Sequence, residues 1–188
     1  MLVIQEVSRV KGSSAPDFAS ATQKLWEHLR PYDASPGWFF EVSHGTGPSY
    51  MVWSGLRLAD WSAWEAVSRA MAYGDLTPVV EELDRCRYDS QSTLLEVVSE
   101  TENSPTDVPS VWVARISKAT QEAPASSGPQ LVMRALLGGD GPGATTILRR
   151  EPAADVIERF LDRSSARPGA TAPMHTWVLR PTPWSPLR

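Results

Sequence analysis

Gly45-Thr46-Gly47-Pro48-Ser49-Tyr50-Met51-Val52-Trp53 decides the fold, because the chain uses the same arrangement twice. Its echo is Gly139-Asp140-Gly141-Pro142-Gly143-Ala144-Thr145-Thr146-Ile147, at a constant separation of 94 residues (139 − 45 and 147 − 53). In both places a Gly-x-Gly-Pro turn joins two extended, mostly apolar runs. In both a segment with helical spacing follows, Leu58 to Met71 in the first and Pro152 to Leu161 in the second. Self-similarity at a fixed offset is the mark of a repeated structural unit.

Working outward from the first copy, Leu2 to Lys11 alternates as a strand interrupted by Gln5 and Glu6, which could face a cavity or the solvent. Pro16 can occupy a first helical turn, where its missing N–H has no partner to lose, and Phe18, Ala21, Leu25 and Leu29 continue at helical spacing. Arg30-Pro31 ends that helix. Trp38 to His44 and Tyr50 to Ser54 read as the two strands of a hairpin. Trp61, Trp64, Val67 and Met71 line a helix that Gly74 stops, and Thr77-Pro78 opens a shorter one. Ser92 to Val98 is a fourth strand. The order strand, helix, strand, strand, helix, strand is the ferredoxin-like split arrangement.

Residues 1–100 therefore form a complete half, 101–109 a polar linker with two prolines, and 110–188 a second, degenerate half. In that second half Val111 to Ala119 is the first strand, and Ile116-Ser117-Lys118-Ala119 echoes Val7-Ser8-Arg9-Val10 at an offset of 109. The offset then falls to 94, so about 15 residues are missing where the first helix belongs. Gln121 to Pro129 stands there instead and cannot sustain a helix. Leu131 to Leu137 and Ala144 to Arg149 repeat the hairpin. Ala153 to Arg163 repeats the helix, His175 to Leu179 is the last strand, and Pro181, Pro183 and Pro186 hold the tail extended.

Composition narrows the class. At 188 residues with 41% apolar side chains the chain can bury a core as one large domain or two fused small ones. A net charge of −4 without a basic stripe argues against nucleic acid as a partner. Cys86, the single cysteine, cannot form an internal disulfide and reads as a small core residue. The amino-terminal residues show neither a basic start nor a long apolar run, so no membrane partner and a cytoplasmic location are expected. Few lysines against many arginines, with abundant alanine and proline, suggest a bacterial source. Five of the eight tryptophans fall between Trp26 and Trp64, which makes either a bulky core or an aromatic pocket.

A four-stranded sheet with helices on one face leaves the other face bare, and two such sheets bury it by packing together into a barrel-like α+β core. Glu41-Val42-Ser43-His44-Gly45-Thr46-Gly47-Pro48, then Met51-Val52-Trp53, then Leu58-Ala59-Asp60-Trp61-Ser62-Ala63-Trp64 resembles the dimeric α+β-barrel superfamily, in particular its NIPSNAP-like and antibiotic-biosynthesis-monooxygenase-like members. The resemblance is close over residues 1–100 and loose over 110–180. It implies an α+β fold in which two ferredoxin-like halves, antiparallel sheets inside and helices outside, form a pseudo-dimeric barrel as a tandem fusion. Members of that superfamily include cofactor-free oxygenases, polyketide cyclases, haem-degrading enzymes and isomerases, besides proteins with no known reaction. Haem-degrading members carry an axial histidine on the second helix; neither half has one here.

The candidate site lies beside the first turn, because His44, Tyr50 and Trp53 have Gly138, Ala144 and Ile147 as counterparts in the second copy. His44, at a strand end, could act as general acid or base. Tyr50 and Arg57 could stabilise an anion. Trp38, Phe40, Trp53 and Trp61 would line the pocket. Glu41, on the face opposite Trp38, Phe40 and His44, would serve as a base if enclosed and as an ordinary carboxylate if exposed. No spacing suits a metal, and no nucleotide or cofactor loop is present; Pro48 removes an amide that a phosphate would need. The expected function is cofactor-independent oxygenation or cyclisation of an aromatic or polyketide-like molecule in bacterial specialised metabolism. The alternative is a non-catalytic binding or interaction protein whose barrel is filled by its own tryptophans. A monomer with an internal pseudo-dimer and a homodimer both remain open.

Overall fold

The computed structural model describes residues 1–45, 50–101, 110–117, 129–138, 143–161 and 175–187. At residues 43–45, 157, 159–161 and 175 it describes the backbone alone. The described strands are β1 (Leu2–Val10), β2 (Ala34–Gly45), β3 (Met51–Leu58), β4 (Arg87–Glu100), β5 (Ser110–Ser117), β6 (Gln130–Gly138), β7 (Thr145–Pro152) and β8 (His175–Pro181). The described helices are α1 (Ala15–Glu27), α2 (Trp61–Tyr73), α3 (Thr77–Cys86) and α4 (Ala153–Leu161). None is long and apolar enough to cross a membrane.

All strands pair antiparallel and close into one barrel in the order β1-β3-β2-β8-β5-β7-β6-β4. Started at β4, the ring runs β4-β1-β3-β2 and then β8-β5-β7-β6. The same strand order occurs twice, sealed by the β2–β8 and β4–β6 ladders. This is the pseudo-dimeric α+β barrel that the resemblance implies. The ladders also bring the residues flanking both Gly-x-Gly-Pro turns to one end of the barrel, called the upper end below. Residues 102–109 and 118–128 lie outside the described set, and with them nearly all of the expected linker and the place of the missing first helix of the second half.

β2 and β3 are buried on both faces, which is why their sequences are nearly continuous in apolar residues. The outer face carries Leu2, Val10, Phe39, Val52, Leu56, Leu58 and Leu94 against Phe18, Ala21 and Leu25 of α1, Ala63, Val67 and Ala70 of α2, and Leu83 and Cys86 of α3. Asp60 starts α2 by accepting a hydrogen bond from the Ala63 N–H, and the Gly74 N–H closes it on the Ala70 carbonyl. In the second half Val113 and Val178 pack outward on Val156 of α4.

Several boundaries differ from the sequence reading. β2 begins at Ala34 because Pro36-Gly37 forms a bulge within the strand instead of breaking it. Gly37 is needed there, since a Cβ would stand 2.8 Å from the Gly55 carbonyl oxygen. β4 begins at Arg87; its first residues are exposed and polar, so the ladder to β1 leaves no apolar alternation to read. α1 ends at Glu27, and Arg30–Tyr32 adds one 3₁₀ turn. The tail does not run straight on. The Thr182 N–H reaches the Phe39 carbonyl, the Ser185 N–H turns back to the Thr182 carbonyl, and the Phe39 N–H donates to Ser185 Oγ. Trp184 then packs on Trp26 and Phe39, while Leu187 joins the barrel interior.

Candidate functional site

The interior is built from alternate positions of all eight strands. Val3, Trp38, Phe40, Trp53, Leu95, Trp112, Ala114, Ile116, Leu131, Met133, Ala135, Leu148, Trp177 and Leu179 make one buried cluster. Two aromatic pairs bridge the halves: Phe40 stacks on Trp112 with centroids 5.8 Å apart, and Trp53 meets Trp177 at 4.9 Å. Trp112 and Trp177 come from the second half, so the aromatic character is not confined to the first copy of the repeat. Sequence reasoning missed both; their signal was that each sits at an inward position of an alternating strand.

Three ladder rows set the geometry. Gln5, Gly55 and Trp38 are successive partners across β1, β3 and β2, and Thr93 on β4 pairs with Gln5. The Trp38 indole lies flat over Gly55, where a Cβ would stand 2.5 Å from Cδ2 and Cζ2. Val7, Trp53 and Phe40 form the next row toward the upper end. Val42 pairs with Leu179, which pairs with Trp112. Among these inward groups the Nε1 atoms of Trp38, Trp53 and Trp112 and Oε1 of Gln5 are buried without a hydrogen-bond partner.

At the upper end, Val7, Arg9, Met51, Asp89, Ser90 and Gln91 line a groove of about 300 Å³. Arg9 and Asp89 face each other across it at 2.7 Å. The same end carries the backbone of Gly45, paired with Trp177, and of His44, paired with Val178.

The residues singled out from sequence do not gather at one place. Trp38, Phe40 and Trp53 are inside the barrel, each fully buried. Trp53, not the Tyr50 side of the strand, faces that interior, whereas Val52 faces the helices. Tyr50 precedes β3 in a left-handed conformation (φ 64°), is 63% exposed, and lies against Gly12 on the outer surface. Glu41 is half-exposed and receives a 2.6 Å hydrogen bond from Arg180, so it is a surface carboxylate and not an enclosed base. Trp61, in the first turn of α2, is 52% exposed and makes an edge contact with Trp64 outside the barrel. Arg57 lies at the lower end, held by both oxygens of Glu100 at 2.8 and 2.5 Å. Seven residues of extended chain separate it from Tyr50, roughly 23 Å. It cannot stabilise an anion formed beside His44. The side chain of His44 lies outside the described set. A register shift between Val42 and His44 means that simple alternation from Trp38 and Phe40 does not reach it.

Among the described residues, perturbed ionisation is confined to supporting groups. Burial pushes the Arg87 guanidinium below its ordinary range, yet it stays charged between Glu6 and Asp84. Burial lowers Arg115 likewise, beside Glu151 on the outer face of the second half. Desolvation raises the Cys86 thiol.

No family model matches the sequence, and no curated protein matches it. Solved structures do match in fold. A proposed monooxygenase from Lactobacillus acidophilus NCFM superposes with a TM-score of 0.59 at 8% identity, over 95% of this chain and 92% of the other. An anthrone oxidase-like protein gives 0.55 at 10% identity, over 95% and 91%. An encapsulated DyP-type peroxidase from Mycobacterium smegmatis gives 0.52 at 11%, over 100% and 96%. At these identities the likeness establishes the dimeric α+β-barrel fold, one that oxygenase-like proteins share, and not a reaction.

Proposed function

We propose that the barrel binds a small, flat, largely apolar molecule through its upper end and that the chain oxygenates or cyclises it without a cofactor. The observation that carries this reading is the Trp53–Trp177 pair, contributed by both halves directly below the end where His44 and Gly45 close β2 onto β8. Two indoles at 4.9 Å offer a polarisable wall for a fused-ring ligand. The groove from Val7 to Gln91 opens on the same end. His44 is the group proposed to take a proton from an activated C–H of the substrate. The resulting carbanion gives electrons to dioxygen, so that a CH₂ group becomes C=O and the second oxygen atom leaves as water. In this scheme Arg57 has no part, and Tyr50 acts only if its ring swings in from the surface. The two halves, 1–100 and 110–188, are on this reading a fused pair of which only the first supplies the acid–base group.

The likeness to an anthrone oxidase-like protein makes anthrone a reasonable first probe. Oxygen uptake with anthrone should be stoichiometric with its loss. His44→Ala should lower the rate by about two to four orders of magnitude, the usual contribution of a general base. A His44→Ala protein that turns over at the wild-type rate would remove His44 from the scheme. A second reading has its own observation. The middle of the barrel is filled by Trp38, Trp53, Phe40, Trp112, Met133 and Leu148, each 2% exposed or less, as a non-catalytic binding or interaction protein would have it. Tight binding of anthrone with no oxygen uptake would favour that alternative.

A further inference from the structure

We infer that residues 182–187 are a strap over a side window in the barrel wall, and that the strap opens as a unit while the barrel stays closed. The ladders define the window. β2 pairs with β8 from Phe40 to Gly45 and no lower, because β8 stops at Pro181. On its other side β8 pairs with β5 from Trp112 to Ile116. Below Phe40 and Trp112, β2 runs on to Ala34 and β5 to Ser110, and among the described residues no strand stands between them. One absent strand leaves a gap of two strand spacings, roughly 10 Å. Trp38 and Trp112, both of the interior cluster, stand at its two edges.

The chain after Pro181 fills this gap without continuing the ladder. The Thr182 N–H reaches the Phe39 carbonyl at 3.3 Å. The Phe39 N–H, which a ladder would give to a backbone carbonyl, goes to Ser185 Oγ at 3.0 Å. The turn from Thr182 to Ser185 then divides the segment between the two sides of the wall. Trp184 covers Trp26 and Phe39 on the outside, and Leu187 enters the cluster that holds Trp38 and Trp112. The seal is complete, with Ser185 fully buried and Leu187 8% exposed. Its attachment is slight. Pro183 and Pro186 have no N–H to donate, whereas β8 is bonded to a strand on each side. Thr182 Oγ1 is buried without a partner, a cost that water removes when the strap lifts. A segment with few backbone bonds opens at a lower free energy than the strands it rests on. Lifting it withdraws Leu187 and lets water reach Trp38 and Trp112 from the side, at the end of the barrel away from the groove lined by Arg9. The barrel thus has a second, closable way into its interior, independent of the binding reading above.

Hydrogen exchange followed by NMR on the ¹⁵N-labelled full-length protein tests this. The Nε1–H groups of Trp38 and Trp112 have no hydrogen-bond partner and are shielded by burial alone, so they report the arrival of water. Corrected for intrinsic rates, these two and the Phe39 amide should share one opening. Their protection should be about a hundredfold or more below that of the β5–β8 ladder amides. Ser185→Ala removes the acceptor of the Phe39 N–H. It should speed Phe39, Trp38 and Trp112 together by about three- to tenfold, the worth of one hydrogen bond, and leave the Trp53 indole and the ladder amides unchanged. If the three groups exchange no faster than the ladder amides in the wild-type protein, the strap leaves only with global unfolding and the inference is overturned. If Ser185→Ala speeds the Phe39 amide alone, one bond frays without opening the window, and the inference is overturned equally. The first comparison needs no variant, so a poorly folding Ser185→Ala protein does not blunt the test.

Discussion

Replacing Gly55 with alanine puts the interior packing to a direct test. The Trp38 indole rests on the Cα of Gly55, and a Cβ there would stand 2.5 Å from two ring carbons. Those atoms are not the far end of a flexible chain. They belong to a fused ring that is fully buried within the aromatic and aliphatic interior cluster. Relief therefore requires the whole indole to tilt or β2 to move away from β3. Overpacking of this kind costs about 1–3 kcal/mol, and the rigid ring places Gly55→Ala toward the upper end. Against this, the alanine restricts the unfolded chain and returns about 0.4–1 kcal/mol. The net expectation is a loss of about 2 kcal/mol, which for a domain of this size lowers Tm by roughly 4–8 °C. Urea and thermal unfolding followed by far-UV circular dichroism measure it. The decisive control is a double-mutant cycle with Trp38→Leu, which removes the fused ring. In that background Gly55→Ala should be neutral or mildly stabilising, giving a coupling of about 2 kcal/mol between the two positions. If Gly55→Ala alone is as stable as wild type, the indole does not lie where the ladder rows put it.

Two further outcomes follow from the placement of single residues. Arg57→Gln should leave ligand binding and any turnover within twofold, because the guanidinium is engaged by Glu100 at the lower end; stability should fall by no more than about 1 kcal/mol, as for a partly exposed ion pair. A hundredfold loss of activity in Arg57→Gln would show that the two ends of the barrel act together after all. Cys86 contributes to the alkaline pH dependence: desolvation raises its pKa in the folded state, so the folded protein holds the thiol proton more tightly than the unfolded chain does. Its stabilising contribution is full below the unfolded thiol pKa of about 8.5 and is lost as pH rises through the folded value. Unfolding free energy measured between pH 7 and 10 should decline more steeply in wild type than in Cys86→Ala; parallel curves would show that the thiol is not linked to folding.

The repeat was legible in the sequence because it depends on turns, and turns depend on residues that little else can replace. The 94-residue offset between Gly45 and Gly139 survives the loss of similarity elsewhere. The strand order then follows, since each half needs a partner for its bare face. What period-two alternation could not supply was the inside and the outside. β2 and β3 are buried on both faces, so Trp38-Phe39-Phe40 and Val52-Trp53 offer large apolar groups to either side. Only the packing shows Phe39 and Val52 under the helices and Trp38, Phe40 and Trp53 within the barrel. Tyr50 fails for a different reason: it looks like the first residue of a strand, but its left-handed backbone turns the ring out against Gly12.

The two bulges in β2 explain why the candidate site was harder to read than the fold. Each inserts one residue and breaks the parity on which face assignments rest, the first at Gly37 and the second between Val42 and His44. The first bulge lets Pro36 and Gly37 pass without ending the strand and brings Trp38 opposite Gly55, the one partner whose missing side chain leaves room for an indole. The second re-aims the strand end that carries His44, just where β2 closes the barrel against Trp177 of the other half. A bulge costs ladder regularity, and a barrel seam is where regularity is most needed to keep the ring closed. Register shifts fall at both seams, two of them in the β4–β6 ladder, and the one in β2 sits beside His44 and the Trp53–Trp177 pair. Deleting Ser43 would restore the parity. If the site lies where we place it, that deletion should abolish ligand binding while leaving the far-UV spectrum and the Arg57–Glu100 end intact. Retained binding with restored parity would show that the bulge serves barrel closure alone.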